Sequence, residues 1–284
     1  MRRAALILLL GGLALSWGFG ALMVRPSAIA VAPAAAPAVD VPLRSEDGLA
    51  IAGTYRPGRA ANAPAVLLLH GNNASRAAVD GNAAWLAAQG YATLAIDFRG
   101  HGESAPAPRS FGYHESRDAA AALRWLKTRQ QGAPVAAIGI SLGGAALLLA
   151  ARRGAGPDAM ILQAVYPDIR HAIRNRIATF TGSLPAVLLE PLLSYQARLR
   201  YGVWPAELAP IARVRGYRGP LLVIGGGEDG STPPQETRAL YAAAPGRKAL
   251  WIAPGLDHAQ VSDIATPEYR VRIRAFLRAT IGPA

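Results

Sequence analysis

The chain contains no cysteine, which excludes disulfides, thiolate metal ligands, cysteine nucleophiles and lipidation at cysteine. Charged residues make up only 17% of the 284 residues, whereas 51% are apolar, so the charge-rich composition of disordered chains is excluded as well. Lysine is scarce and occurs only at Lys127 and Lys248. The length and composition therefore predict one large globular domain or at most two small ones.

The formal net charge is +12, and arginine carries almost all of the positive charge. The arginines are scattered as singles and pairs, and no basic run alternates with aromatic residues. The sequence thus lacks the basic stripe that is typical of nucleic-acid-binding proteins, and we expect no nucleic-acid partner.

The N-terminus has the layout of an export signal. Arg2 and Arg3 precede an uncharged stretch over residues 4–24, which is long enough as a helix to reach across a bilayer core. The small residues Ala28 and Ala30 then offer a site to signal peptidase. Two alternatives stay open for residues 1–30: a retained transmembrane anchor at the inner membrane with the folded domain in the periplasm, or a cleaved signal peptide that leaves a periplasmic or secreted protein. The membrane is a partner only in the first case.

Residues 31–42 are rich in alanine and proline and are predicted to form a flexible linker, so the folded domain is expected over 43–284. Within that domain, short apolar runs alternate with longer helical patterns. Because the runs are continuously apolar, the strands are predicted to be buried on both faces. This predicts an α/β fold with a mostly parallel central sheet and helices on both faces. The predicted strands are 65–69, 91–96, 135–140, 159–165, 220–224 and 249–253, after a hairpin across 46–55, and the predicted helices are 75–89, 114–130, 142–153, 234–244 and 263–280.

Residues 168–213 interrupt this alternation with several prolines and apolar-aromatic stretches. We interpret the segment as a small helical lid inserted above the carboxyl ends of the strands, where it would shape an acyl pocket. The alternative is packing that only covers the edge of the sheet.

The residues that carry chemistry lie between the run 135–140 and the following helix. Gly139 and Gly143 flank Ser141 in a G-x-S-x-G pattern, which places the serine on a sharp strand-to-helix turn. The glycines avoid clashes there, and the N-terminus of the new helix directs its N–H groups at a developing oxyanion. The context predicts that Ser141 is a nucleophile.

At this point the sequence resembles the α/β-hydrolase family, and the resemblance extends from about residue 41 to the end. Four further segments are similar to family signatures: the oxyanion turn, the D-x-R-G-x-G-x-S stretch, the turn with the catalytic acid and the loop with the catalytic histidine. They are His70-Gly71-Asn72-Asn73, residues 97–104, residues 226–233 and Pro254-Gly255-Leu256-Asp257-His258.

The resemblance implies a catalytic triad of Ser141, Asp229 and His258, in the family's chain order. The chemistry agrees, because a serine hydroxyl needs an adjacent base and the base needs a carboxylate that orients it. The resemblance also implies an oxyanion hole formed by the backbone N–H groups of Leu142 and Asn72, with Asn73 as the alternative to Asn72. Among the other histidines, His70 and His101 are expected to be structural.

We therefore expect a serine hydrolase of the carboxylesterase type that cleaves a small-molecule ester through an acyl-enzyme. Peptidase, thioesterase or acyltransferase activity on the same triad, and a non-catalytic membrane-tethered binding module, stay open as alternatives. No metal is expected. A G-x-G-x-x-G pattern at Gly225, Gly227 and Gly230 resembles a dinucleotide fingerprint, but Pro233 and Pro234 separate it from the next helix, and we expect no cofactor.

Overall fold

A twisted sheet of eight strands forms the centre of the molecule in the computed structural model, which describes residues 2–151, 154 and 156–282 apart from the side chains of residues 2, 4, 5, 8 and 9. The order across the sheet is β10-β9-β8-β7-β4-β5-β3-β2, and only the pairings of β3 with its two neighbours are antiparallel. The strands are β2 (Val39–Arg44), β3 (Ala50–Arg56), β4 (Ala65–Leu69), β5 (Ala92–Ile96), β7 (Val135–Ile140), β8 (Ala159–Gln163), β9 (Leu221–Gly226) and β10 (Lys248–Ala253). Two short strands, β1 (Ser27–Ala28) and β6 (His101–Gly102), pair with each other outside this sheet.

Helices cover both faces of the sheet. They are α1 (Arg2–Met23), α2 (Asp80–Ala88), α3 (Glu115–Arg129), α4 (Leu142–Ala150), α5 (Ile169–Thr181), α6 (Ser183–Ser194), α7 (Gln196–Tyr201), α8 (Pro210–Val214), α9 (Pro234–Ala243), α10 (His258–Ser262) and α11 (Pro267–Thr280). Short 3₁₀ turns lie at Arg76–Val79 and Pro205–Glu207. The predicted α/β class with a mostly parallel sheet is confirmed.

The core explains why the strands read as continuous apolar runs. Side chains of β4 alternate between two clusters: Leu67 and Leu69 pack with α3 and α4 on one face, while Val66 and Leu68 pack with α2 and α11 on the other. All four are at most 1% exposed. A strand buried on both faces has no polar side to alternate with the apolar one.

Element boundaries differ from the sequence predictions in three places. The predicted helix 263–280 begins only at Pro267, as α11, and a separate short helix that was not predicted, α10, precedes it with Asp257 as its cap. The predicted helix 75–89 opens with the 3₁₀ turn at Arg76–Val79. The described part of the predicted helix 142–153 ends at Ala150, and residues 152 and 153 lie outside the described residues.

The predicted flexible linker 31–42 is wrong at its end, because strand β2 begins at Val39. Residues 39–42 pair with β3, with Pro42 opposite Ala52. β2 is an edge strand, so half of its N–H groups need no partner in the sheet, and a proline is tolerated at such a position. The proline-rich composition therefore concealed the first strand of the sheet.

The N-terminal helix α1 contacts the body of the molecule through α6, and Ser27 and Ala28 pair with His101 and Gly102. Among the residues that the structure describes, none of the helices combines the length and the apolarity that a membrane crossing requires. The export signal, its two alternatives and the localisation stay predictions.

The segment 168–213 is helical, as α5, α6, α7 and most of α8. Helices α5 and α6 pack closely against each other, joined by a turn at Gly182 whose φ is +81°. The carboxylate of Glu190 on α6 is fully buried and is bound by Arg170 of α5 at 2.9 Å. We refer to α5–α7 as the lid.

His70 closes the carboxyl end of β4 and is completely buried. Its Nε2 accepts a hydrogen bond from the Phe98 N–H at 3.1 Å, so its Nδ1 carries the proton and donates to the Gly71 carbonyl at 2.7 Å. Burial, together with the nearby His101, lowers the pKa of His70 to about 3. The ring is neutral at physiological pH and serves to hold the β4 and β5 loops together.

This buried histidine makes stability depend on acid. Below the pKa of about 6.5 that His70 has in the unfolded chain, the unfolded state binds a proton that the native state does not bind until about pH 3. The free energy of unfolding should therefore fall as the pH drops below 6.5, and the His70 contribution to that slope should approach about 1.4 kcal/mol per pH unit. Urea unfolding at pH 6 and at pH 4.5 gives the free energy of unfolding at each pH. Between these two values, that free energy should fall less for His70→Gln than for the wild type. Equal slopes would contradict the assignment.

Candidate active site

Ser141 occupies the turn between β7 and α4 in a strained conformation. Its φ of 48° and ψ of −109° lie outside the regions that non-glycine residues adopt readily, a strain of about 1–3 kcal/mol. Two backbone bonds hold it there: the Ser141 N–H donates to the Gln163 carbonyl at 2.8 Å, and its own carbonyl accepts from the Ala145 N–H at 3.0 Å. Strain maintained by the surrounding structure is typical of a functional position.

The glycines around Ser141 are required by close backbone approaches. A Cβ at Gly143 would collide with the Leu69 carbonyl at the end of β4, and a Cβ at Gly139 would lie 2.5 Å from the Gly144 Cα. The turn therefore packs directly against the carboxyl end of β4, which only glycine at these positions allows.

The two predicted oxyanion donors border this turn. The Leu142 N–H is the first of helix α4 and has no acceptor within the helix. The turn after β4 lies beside it, since a Cβ built on Gly71 would be 3.8 Å from the Ser141 Cβ. Asn72 is the next residue of that turn, and Asn73 follows in the left-handed region with φ 59°. The structure thus brings Ser141, Leu142 and the Asn72–Asn73 turn together.

A buried arginine fixes the Asn72–Asn73 turn. The Arg109 guanidinium donates to the Asn72 Oδ1 at 3.0 Å and to the Asn73 Oδ1, and its other nitrogen donates to the Met23 carbonyl at 2.8 Å. Arg109 is only 6% exposed, and burial lowers its pKa. The side-chain oxygens of both asparagines are thereby bound by one guanidinium, which fixes the turn whose backbone N–H groups are the predicted donors.

Asp229 and His258 form a hydrogen-bonded pair on the turns after β9 and β10. The His258 Nδ1 and the Asp229 Oδ2 are 2.8 Å apart, and the other carboxylate oxygen accepts from the N–H groups of Ser231 and Thr232 at 2.8 and 2.7 Å. The Asp229 side chain is fully buried, whereas the His258 side chain is 23% exposed. A buried acceptor on Nδ1 fixes the tautomer in which Nε2 is free to take a proton.

Gln163 connects the serine turn to the helix that begins with His258. Its carbonyl accepts from the Ser141 N–H, and its side-chain amide donates to the Val261 carbonyl at 2.5 Å and to the Ser262 carbonyl at 3.1 Å. Ser141 and His258 make no hydrogen bond to each other in the described chain, although this buried glutamine holds their two elements against the same strand end. Serine–histidine bonds are often longer in the absence of substrate.

The remaining histidines have other surroundings. His101 is fully buried, its Nδ1 bonds to the Arg99 carbonyl, and burial lowers its pKa. His171 pairs with Asp168 at 2.8 Å, but both belong to the N-terminal turn of lid helix α5, where Asp168 is also the helix cap. Asp257, the neighbour of His258, caps α10 by accepting from the Gln260 N–H at 2.8 Å. Asp229 is thus the carboxylate that faces His258.

The lid contacts the loop of Asp229 through Asn175. The Asn175 side-chain amide donates to the Ser231 carbonyl at 3.2 Å and to the Glu236 Oε1 at 2.8 Å. Ser231 in turn donates its N–H to Asp229. Burial raises the pKa of Glu236, while the bond from Asn175 opposes that rise. A lid residue is therefore two hydrogen bonds away from the carboxylate of the acid.

The described residues contain no group of three or more histidine and acidic side chains that could hold a metal ion. The glycines of the fingerprint-like pattern serve the acid turn instead. The Gly227 N–H donates to the Ala253 carbonyl at 2.8 Å, and a Cβ at Gly226, which lies between the first two glycines of the pattern, would collide with the Leu256 carbonyl. These glycines hold the loops of Asp229 and His258 together.

Three residues of this site were not found from the sequence. Arg109 is one of many scattered arginines, and Gln163 and Asn175 lie in segments without a motif. The position of Gln163 at the end of a strand beside the serine strand is the one signal that could have drawn attention to it, because side chains at strand ends face the crevice.

Comparisons with known proteins agree with this geometry. The family described as "Serine aminopeptidase, S33" matches residues 60–201. An uncharacterized protein of Mycobacterium tuberculosis is 31% identical over 82% of this chain and 75% of its own length. The lysophosphatidylserine lipase ABHD12 of Rattus norvegicus is 30% identical over 68% of this chain and 48% of its own length.

Solved structures agree on the fold. The esterase Pf2001 of Pyrococcus furiosus superposes with a TM-score of 0.72 over 92% of this chain and 99% of its own, at 22% sequence identity. A likeness at that identity concerns the architecture alone. Together with the family match over half of the chain and the relatives at 30% identity or above, it shows that the chain belongs to the α/β-hydrolase family.

Proposed function

We propose that this protein is a carboxylic ester hydrolase that works through Ser141, His258 and Asp229. The observation that carries the proposal is the conjunction of a strained serine beside unpaired helix N–H groups with a histidine whose Nδ1 is bound by a buried carboxylate. Each half occurs in proteins without activity. Their attachment to one strand end through Gln163 is what supports a nucleophile and its base.

The proposed reaction has two stages. His258 Nε2 removes the proton from the Ser141 hydroxyl as Oγ attacks the ester carbonyl, and the resulting oxyanion accepts hydrogen bonds from the Leu142 and Asn72 N–H groups. The tetrahedral intermediate collapses, the C–O bond to the alcohol breaks, and the departing alkoxide takes the proton from His258. Water activated by the same imidazole then attacks the acyl-serine, releasing the acid and restoring Ser141.

A small apolar cavity of about 60 Å³ lies between the lid and the end of α1, and none of Ser141, Asp229 and His258 is among its lining residues. It is lined by residues of the lid, the end of α1 and the loop around Phe111, which is followed by Gly112 packed on α4. Among the described residues that line it, Arg200 alone is charged.

The names of two similar proteins favour an ester substrate. One is named as a lysophosphatidylserine lipase, and the structure with the same architecture is titled an esterase. A fatty-acyl ester with an apolar chain is therefore the substrate class that we propose, with the alcohol part left open.

The nucleophile can be tested by labelling with a fluorophosphonate probe. The wild-type protein should be labelled, and Ser141→Ala should not, because the probe reacts with an activated serine hydroxyl.

Asp229→Asn should slow p-nitrophenyl ester hydrolysis by about three to four orders of magnitude, since the imidazole loses its orienting partner. Asp257→Asn is the matched control beside His258 and should retain activity. Labelling that persists in Ser141→Ala, or loss of activity in both Asp variants alike, would refute the assignment.

Asn175 should act as a positioning residue through the Asp229 loop. Asn175→Ala removes its bonds to Ser231 and Glu236, and the loss of about 1 kcal/mol of orientation should lower kcat about five-fold with little change in KM. Thr179→Ala, one turn further along α5 and bonded only to its own helix, should leave both constants unchanged. A purely structural role for Asn175 would instead lower Tm while the kcat of the folded enzyme stayed at the wild-type value.

A further inference from the structure

Exposed apolar side chains are concentrated on one part of the molecule. Of the large apolar residues that are exposed in the described chain, all but Ile29, Val39 and Val271 belong to α1 or to residues 180–204. Several are almost fully in solvent, such as Leu15 at 77% and Leu188 at 70%. Monomeric proteins rarely leave contiguous apolar surfaces of this kind uncovered. We refer to the exposed apolar residues of α1 and α6 as the apolar face.

The two helices of the apolar face lie side by side. The Ser16 hydroxyl donates to the Leu192 carbonyl, and the Gln196 amide donates to the Ser16 carbonyl. One turn further, Gly20 approaches Gln196 so closely that a Cβ would collide with its side chain. The second half of α1 therefore lies against the end of α6 and the start of α7, which brings the exposed apolar residues of these segments close together.

Arginines and aromatic rings border the apolar face. The Arg200 guanidinium lies 3.9 Å from the centre of the Trp17 ring, and Arg198 lies 5.3 Å from that of Trp204. Trp17 is 42% and Trp204 51% exposed. Tryptophan and arginine side chains with an apolar part and a polar end are typical of the zone where lipid tails meet headgroups.

The charge of this region has one sign. Residues 1–39 contain no acidic residue, and residues 169–204 contain five arginines but only one acid, Glu190, whose carboxylate is buried against Arg170. A second copy of the chain would bring the same positive border against itself, which disfavours self-association. An anionic surface with an apolar layer beneath it complements both the border and the face.

We propose that the apolar face is a docking surface for an anionic phospholipid bilayer. The leucine and phenylalanine side chains of α1 and α6 would enter the outer part of the acyl layer, while the bordering arginines lie at the phosphates. Docking needs no reaction at Ser141, so the inference stands or falls separately from the proposed hydrolase activity.

The test is sedimentation of the full chain with lipid vesicles, using Ser141→Ala to prevent turnover. The vesicles contain phosphatidylcholine alone or phosphatidylcholine with about 30 mol% phosphatidylserine, an anionic lipid that attracts basic proteins. Binding should be stronger with phosphatidylserine and weaken as salt is raised. Leu184→Asp combined with Leu188→Asp should reduce the partition coefficient by about ten-fold or more, because each leucine loses its burial in the acyl layer. Val271→Asp, an exposed valine on α11 that is 62% accessible, is the matched control and should bind as before.

Hydrolysis of a soluble short-chain ester by the Leu184→Asp, Leu188→Asp double variant, with Ser141 retained, shows whether it is folded and should be unchanged. The proposal is overturned if the full chain does not bind either vesicle, or if binding ignores lipid charge. It is equally overturned if the chain is a dimer that the double variant, but not Val271→Asp, converts to a monomer, because the apolar face is then an interface between copies.

Discussion

The strained backbone of Ser141 is the constraint on which the rest of the site depends. A residue with φ 48° at the end of a parallel strand can be held only if its neighbours allow close backbone approach and if buried groups fix it from both sides. The flanking glycines supply the first condition, and the Gln163 carbonyl and the Ala145 N–H, which bind the Ser141 N–H and carbonyl, supply the second. The Gln163 side chain also donates to the Val261 and Ser262 carbonyls of α10, so Ser141 and the helix that begins with His258 are held by the backbone and the side chain of one buried residue.

The loops around this turn are held by backbone hydrogen bonds to one another and by side-chain bonds that involve the lid and α1. Backbone hydrogen bonds join the acid and histidine turns, whereas Arg109 holds the oxyanion turn to the end of α1, and Asn175 joins the lid to the acid loop. The lid and the N-terminal helix are therefore part of the architecture that positions the site. Of the two helices that carry the apolar face, α1 binds Arg109 through the Met23 carbonyl, and α6 packs against α5, the helix that carries Asn175.

The sequence predicted much of this fold because it depends on strong local signals. Continuous apolar runs identified the buried strands, and the glycines around Ser141 located the sharp strand-to-helix turn that carries this serine. What could not be predicted depends on contacts between distant segments. Val39 enters a strand because β3 offers an open edge, and Arg109 and Asn175 matter only through partners that lie more than thirty residues away. Their residue types carry no local pattern that would distinguish them from ordinary surface residues.

The central claim is that a serine, a histidine-acid pair and two backbone donors converge on one reacting carbonyl. The most direct measurement is a crystal structure of the protein after reaction with a fluorophosphonate, whose tetrahedral phosphorus imitates the attacked carbonyl. The account predicts that phosphorus is bonded to the Ser141 Oγ, with one phosphoryl oxygen within hydrogen-bond distance of the Leu142 and Asn72 N–H groups and the His258 Nε2 facing Oγ. An adduct on another residue, or a phosphoryl oxygen directed away from both N–H groups, would contradict it.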